Sequence, residues 1–286
     1  MKLLMHGYSF RRYPLAHVFA VASRFGWDGI ELVHYHFDTE RVEEEVYAAV
    51  ALGARYGVPV GCVGYRGQFT DDDAQVREHS VRLAERAIRA CERHGIPQVN
   101  GWAGDLVRAD PDDWRRNGSA AAAEVHYERA AGAYRRLGKL ASGCGVTVCV
   151  ETHMNAVHDT IAATARLFDL VDERSVVATP DPSNFYIHGG TERDPAALDA
   201  LAGRIGYFHV KNCLPGTGQV SFNVDTAHGV IDNYAWLAKL SALGGVPALA
   251  VEYCGDGDPH PVLAAAPAYV RGCLDLAEAL IAEARP

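Results

Sequence analysis

Val146-Thr-Val-Cys-Val-Glu-Thr-His153 has the two-residue period of a β-strand. Val146, Val148 and Val150 share one face; Thr147, Cys149, Glu151 and His153 share the other. A valine face suits packing against helices, which turns a carboxylate and an imidazole the opposite way at the strand's end. Burying an unpaired charge is costly, so Glu151 needs compensation from elsewhere. The rest of the chain suggests a metal ion.

Short apolar segments alternate with long amphipathic ones on both sides of this strand. Before it the pattern predicts strands over 2–8, 29–34, 58–64 and 98–102, with helices over 14–25, 40–56, 74–94 and 120–142. The 40–56 helix begins with Glu40 and Glu43 to Glu45, which suit the positive end of its dipole. Gly57 and Pro59, Gly95 and Pro97, and Gly143 and Gly145 are stop signals. After it come helices over 157–172, 194–204, 231–243 and 261–283, and strands over 175–180, 205–211 and 247–252. Residues 105–119 read as a loop near the site. Eight strand-then-helix units with no composition break predict an α/β fold, a single (β/α)8 TIM barrel filling 1–286 as one domain. An open doubly wound sheet would want a Gly-x-Gly-x-x-Gly loop after an early strand, and the sequence has none.

Composition narrows the function. The net charge of −9 over 286 residues argues against a nucleic-acid surface, which would need a basic stripe. Seven cysteines, widely spaced and without Cys-x-x-Cys, read as reduced thiols rather than a zinc ribbon. The first residues do not resemble a signal peptide, and no apolar run is long enough to span a membrane. A cytoplasmic protein acting on a small molecule is expected.

In such a barrel the chemistry sits at the C-terminal ends of the strands. The fifth strand offers Glu151 and His153, the sixth Asp181 and Asn184, the seventh His209 and Lys211, and the eighth Glu252. Phe208 and Val210 take the helix side of the seventh strand, and Leu249 and Val251 that of the eighth. His209, Lys211 and Glu252 therefore point inward. Adjacent strands lie about 4.8 Å apart, so Glu151, Asp181, His209 and Glu252 can converge on one ion. Three carboxylates and an imidazole form a mostly hard donor set that favours Mn²⁺, with Mg²⁺ or Co²⁺ as alternatives. Taken singly, an inward Glu or His is more often a hydrogen-bonded core residue; four at consecutive strand ends are hard to ascribe to chance.

Val150-Glu-Thr-His153, Asp181-Pro-Ser-Asn184, His209-Val-Lys-Asn212 and Val251-Glu-Tyr253 resemble the metal-site motifs of the xylose isomerase-like TIM barrels, within them the sugar phosphate isomerase/epimerase family. Gly29-Ile-Glu-Leu32 is similar to that family's second strand, so the resemblance covers nearly the whole chain. It implies that Glu151, Asp181, His209 and Glu252 bind a divalent metal and that Glu151 and Glu252 are also the catalytic proton carriers. The expected activity is isomerisation or epimerisation of a sugar or related polyhydroxy ketone through a metal-stabilised enediolate. The alternative is a dehydratase of the dehydroshikimate or inosose type on the same scaffold. A DNA-repair endonuclease of this superfamily would need more histidine ligands and a basic face. A non-catalytic barrel would be expected to lose a carboxylate.

The expected substrate contacts are His153, Asn184, Lys211, His6, Asn100, Trp102 and Glu31. Lys211 is equally suited to a substrate oxygen or to an ion pair with Asp181. His153 would touch substrate or orient Glu151. Asn184 stands where relatives often have His, and binding of a hydroxyl by its amide is expected. Tyr253 has outward parity and should pack. His34, His36, His188, His228 and His260 receive no role, and Arg66, Arg115 and Arg116 lie in loops that could reach the site. The resemblance also implies homo-oligomers as common. Whether the substrate carries a phosphate is left open, with the Gly216-Thr-Gly-Gln219 loop as one place to receive it.

Overall fold

The computed structural model describes residues 1–284. Its eight strands are β1 (Lys2–His6), β2 (Gly29–Leu32), β3 (Val60–Arg66), β4 (Gln98–Trp102), β5 (Thr147–Glu151), β6 (Val176–Thr179), β7 (His209–Val210) and β8 (Ala248–Val251). All pair in parallel, in the order β6-β5-β4-β3-β2-β1-β8-β7. The remaining seam closes through the segment before β7. Ala178 N donates to Arg204 O at 2.7 Å and His209 N to Pro180 O at 3.1 Å. The result is a (β/α)8 barrel, as the alternation predicts.

Eight α-helices accompany the strands: α1 (Leu15–Arg24), α2 (Val42–Tyr56), α3 (Ala74–His94), α4 (Glu124–Cys144), α5 (Ile161–Val171), α6 (Pro182–Phe185), α7 (Asn233–Ala242) and α8 (Pro259–Glu283). Asp73, Thr160, Asp232 and Asp258 each accept a backbone N–H at a helix start, a cap worth about 1 kcal/mol. Gly57, Gly95 and Gly145 end α2, α3 and α4 at φ of 70°, 65° and 66°. That left-handed turn costs a side-chain-bearing residue energy that glycine does not pay. Each of these turns delivers the chain into the next strand.

Alternation along the strands separates two cores. Val148, Val150, Phe208, Val210, Leu249 and Val251 belong to the large cluster between sheet and helices. Leu4, Cys62, Cys149, Tyr207, Ala248 and Ala250 form a small cluster filling the barrel interior. The inward and outward faces read from β5, β7 and β8 are therefore the observed ones. Tyr253 packs in the outer core, as its parity requires. All seven cysteines are free.

The departures lie mostly in the second half. Residues 194–204 were expected to be helical, and the helix there is a 3-10 helix over Pro195–Leu201. The strand expected over 205–211 pairs regularly only at His209–Val210. Gly206 packs so tightly on the Val177 side chain that a β-carbon would collide with it, so the chain hugs β6 instead of running extended. The helix expected over 157–172 begins only at Ile161. His158 and Asp159 are buried in the turn before it. The helix expected from residue 120 starts at Glu124, after a 3-10 turn over Gly118–Ala121. The 105–119 loop is ordered by Asn117, whose amide accepts from Arg108 N and Ala109 N and donates to Asp110 O and Asp113 O. No helix among the described residues is long and apolar enough to cross a membrane.

Candidate active site and metal centre

The strand ends bring Glu151, Asp181 and His209 together, with one ligand atom of each within 4.8 Å of the others. His209 Nδ1 stands 3.7 Å from Glu151 Oε1 and 3.9 Å from Asp181 Oδ2. Glu252 lies one step away. Its Oε2 accepts from Lys211 Nζ at 2.9 Å, and its Oε1 is 3.1 Å from His6 Nδ1. Lys211 also reaches Asp181 Oδ2 at 3.0 Å. All of these side chains are buried.

Behind His209 is a second carboxylate, Glu31. Glu31 Oε2 accepts from Tyr207 Oη at 2.8 Å and faces His209 Nε2 at 3.1 Å; Oε1 accepts from Asn100 Nδ2 at 3.0 Å. Thr179 Oγ1 in turn donates to Asn100 Oδ1 at 3.0 Å. His6 stands edge-on to His209 and 3.6 Å from Glu31, tying the two carboxylate groups together. A carboxylate on one ring nitrogen fixes the tautomer and leaves the other, Nδ1, as a lone-pair donor, which is how metal-binding histidines are commonly held.

A divalent ion fits this donor set. His209 Nδ1 is buried with no hydrogen-bond partner, and the buried Asp181 Oδ2 has only the Lys211 ammonium at 3.0 Å, without an aligned hydrogen bond, although such atoms are normally paired. Four carboxylates, Glu31, Glu151, Asp181 and Glu252, face Lys211 as the one ammonium among them, so the balance of their charge falls to His6, His209 and any bound cation.

The ionisation of these groups reflects that crowding. Burial pushes His209 down, but Glu31 and Glu151 outweigh it and hold the imidazole well above its ordinary value. Burial raises Glu151 and Glu252, yet His209 brings the first down to about 2, and Lys211 with His6 holds the second well below its ordinary value. Asp181 goes the other way. Burial and the neighbouring charges of Glu151 and Glu252 raise it despite the ammonium 3.0 Å away. Lys211 is held well above its usual range by Asp181 and Glu252 against the effect of burial. Both carboxyls are buried and both face Lys211; Glu252 also has His6 beside it, whereas Asp181 feels the charges of Glu151 and Glu252.

A cavity of about 300 Å³ opens onto this cluster. His6, Glu31, Asn100, Trp102, His153 and Lys211 all line it, together with Glu151 and Glu252. Trp102 and His153 stack with ring centroids 4.0 Å apart, and His153 Nδ1 faces Met154 O. His153 is therefore held by Trp102, not bonded to Glu151. Asn184 is fully buried off the cavity, with its amide donating to Glu151 Oε1 at 2.9 Å and to Thr152 O at 3.2 Å. It orients the carboxylate.

Sequence reasoning gave no role to several wall residues, namely Tyr8, His34, Tyr35, Tyr65, Met154 and Phe222. Tyr65 lies in β3 just past the expected strand end, and the others follow strand ends or sit in loops where period carries no information. Of the three arginines expected in loops, Arg66 alone lines the cavity; it is the last residue of β3 and is paired to Asp105 at 3.3 Å. Arg115 is engaged with Asp113.

Residues 19–273 match the family model described as xylose isomerase-like TIM barrel. The chain belongs to that family. An inosose dehydratase of Klebsiella pneumoniae is 33% identical over 92 residues, covering 32% of this chain and 31% of that protein. The match thus spans about a third of the curated relative. Two solved structures share the fold. A structure of L-ribulose 3-epimerase is 19% identical, covers 99% of this chain and 98% of its own, and has a TM-score of 0.76. A xylose isomerase-like TIM barrel protein from Mycobacterium smegmatis, solved in complex with magnesium, is 17% identical over 96% of this chain and 97% of its own, with a TM-score of 0.75.

Proposed function

We propose that this barrel is a divalent-metal-dependent isomerase or epimerase of a sugar or related polyhydroxy ketone. The observation that carries this reading is the convergence of Glu151, Asp181 and His209, with Glu252 across Lys211, beside a cavity that Glu151, Glu252 and Lys211 line. Glu151, Asp181, His209 and Glu252 would hold the ion, with Mn²⁺ the favoured metal and Mg²⁺ or Co²⁺ the alternatives for so oxygen-rich a set. An ion held there would supply Lewis-acid chemistry to the substrate's carbonyl oxygen. One of Glu151 and Glu252 removes the carbon-bound proton and the other returns it. Asn184 fixes the orientation of Glu151, His6 that of Glu252, and the Glu31–Tyr207–Asn100 network that of His209. Trp102 and His153, stacked on the cavity wall, position the substrate.

A dehydratase is the second reading, favoured by the inosose dehydratase among the relatives and by Lys211 and His6 beside Glu252, where a leaving hydroxyl would need an acid. Incubating the Mn²⁺-supplemented protein with candidate ketoses in D₂O separates the two. Deuterium uptake with the molecular formula otherwise retained supports isomerase or epimerase action, and loss of water supports the lyase. Neither result on any polyhydroxy ketone would sink both.

A further inference from the structure

Lys211 is placed on the same oxygens that a metal would use. Asp181 Oδ1 accepts the Ser183 backbone N–H at 3.1 Å at the start of α6, so Oδ2 is the oxygen left for other partners. That atom faces His209 Nδ1 at 3.9 Å and is also the atom that Lys211 holds at 3.0 Å. Glu252 is engaged at both ends, Oε1 beside His6 and Oε2 on Lys211. The consequence is visible in the grouping: three of the four proposed ligands gather within 4.8 Å, and Glu252 stays outside that group. The Lys211 side chain is only 4% exposed, and the Phe222 ring lies 4.5 Å from its ammonium, so water screens its attraction for the two carboxylates little.

We infer that Lys211 is an internal rival of the metal ion for Asp181 Oδ2 and Glu252 Oε2, and that it sets how tightly the site binds a divalent cation. The inference rests on the metal-site reading above. Two cations cannot share one carboxylate oxygen without repelling each other, and each weakens the hold of the other. In return, Lys211 keeps the cluster of buried acids from repelling itself apart before an ion arrives.

The test is calorimetric titration of Mn²⁺ into the chelator-stripped full-length chain, comparing wild type with Lys211→Met and Lys211→Arg. Lys211→Met should bind Mn²⁺ at least about tenfold more tightly, while Lys211→Arg, which keeps the cation, should remain near wild type. Melting curves add a second readout. Without Mn²⁺, Lys211→Met should melt below wild type, and added Mn²⁺ should raise its midpoint by more than it raises the wild-type midpoint. A purely structural lysine would lower both midpoints alike and leave the affinity unchanged. Should Lys211→Met not fold, Lys211→Gln, which keeps a donor without the charge, must show the same order. Wild type binding Mn²⁺ with the neutral variants no tighter overturns this inference alone. Wild type binding no Mn²⁺ overturns the metal-site reading as well.

Discussion

Glu31 and Asp181 lie on opposite sides of the same imidazole, and the barrel treats them differently. Glu31 accepts from Tyr207 and Asn100 and faces His209 Nε2, so its burial is compensated by hydrogen bonds from side chains already in place. Asp181 has one oxygen on a backbone N–H and the other on an ammonium, with a buried His209 Nδ1 nearby that meets no partner. A satisfied carboxylate costs little and stays where it is. An under-satisfied one retains capacity to bind, which is what a ligand or proton carrier needs. The contrast separates the residues that position from those that react.

Removing the metal should break the reactive side outright. Prolonged chelation is expected to abolish turnover, and adding Mn²⁺ should restore it. The melting midpoint should rise with metal concentration, since an ion at about a hundred times its Kd adds about 2.7 kcal/mol to stability. Turnover that survives complete metal removal, verified by elemental analysis, would discard the metal-dependent reading.

Glu252→Gln comes next in size. The amide keeps the shape and an oxygen for Lys211, but it cannot take a proton. The expected fall in kcat is about a thousandfold, within the range for a lost general base, with Mn²⁺ still bound. Full turnover with metal in place would show that Glu252 carries no proton.

Glu31→Gln tests the satisfied side. The variant removes the charge behind His209 while leaving an acceptor for Tyr207 or Asn100. Loss of such a partner behind a ligand typically costs about 10–100-fold in metal affinity or activity. Titration of Mn²⁺ should find that loss in affinity, and saturating Mn²⁺ should recover most of the turnover. A defect that no amount of metal relieves would mean Glu31 acts on the substrate itself.

The sequence made the reactive side easier to read than the positioning side. Strand parity at β5, β7 and β8 was enough to aim Glu151, His209, Lys211 and Glu252 inward, because valines, leucine and phenylalanine mark the opposite face. The barrel was legible for the same reason, with glycine stops marking three of the turns into strands. Pairings between distant side chains leave no local pattern. Nothing in the chain announces that Tyr207 would bond Glu31, 176 residues away, or that Asn184 would hold Glu151. The aromatic wall was invisible for a related reason: Tyr8, Tyr35 and Phe222 sit beyond the strands, where spacing carries no signal. The 205–211 strand was drawn too long because its apolar pattern does not reveal that Gly206 must press against Val177.

Asp159 sharpens the comparison with the smallest expected effect. It is buried in the turn before α5, where its Oδ1 accepts from Ser119 N at 3.3 Å and Oδ2 has no hydrogen-bond partner. The nearest basic group, His188, is 3.8 Å away and is itself pushed down by burial to about 4, so it brings no charge at neutral pH. Burial accordingly raises Asp159 from 3.8 to about 7. Between those values the folded chain holds a proton that the unfolded chain has lost, so this group's contribution to stability falls as pH rises from about 4 to 7. Above 7 the folded state carries an unpaired buried carboxylate. Asp159→Asn removes that charge and should stabilise the protein at pH 8 by about 1 kcal/mol, roughly 2 °C in the melting midpoint for a chain of this size. The advantage should disappear at pH 5, where the wild-type carboxyl is already neutral. The His158 ring beside it, which accepts from Ala103 N and is held at about 3 by burial, gives both proteins the same opposite slope below pH 6.5 and cancels in the difference. An Asp159→Asn variant no more stable than wild type at pH 8 would mean that Asp159 is compensated after all, and that burial without a cation does not by itself separate the idle carboxylates of this barrel from the reactive ones.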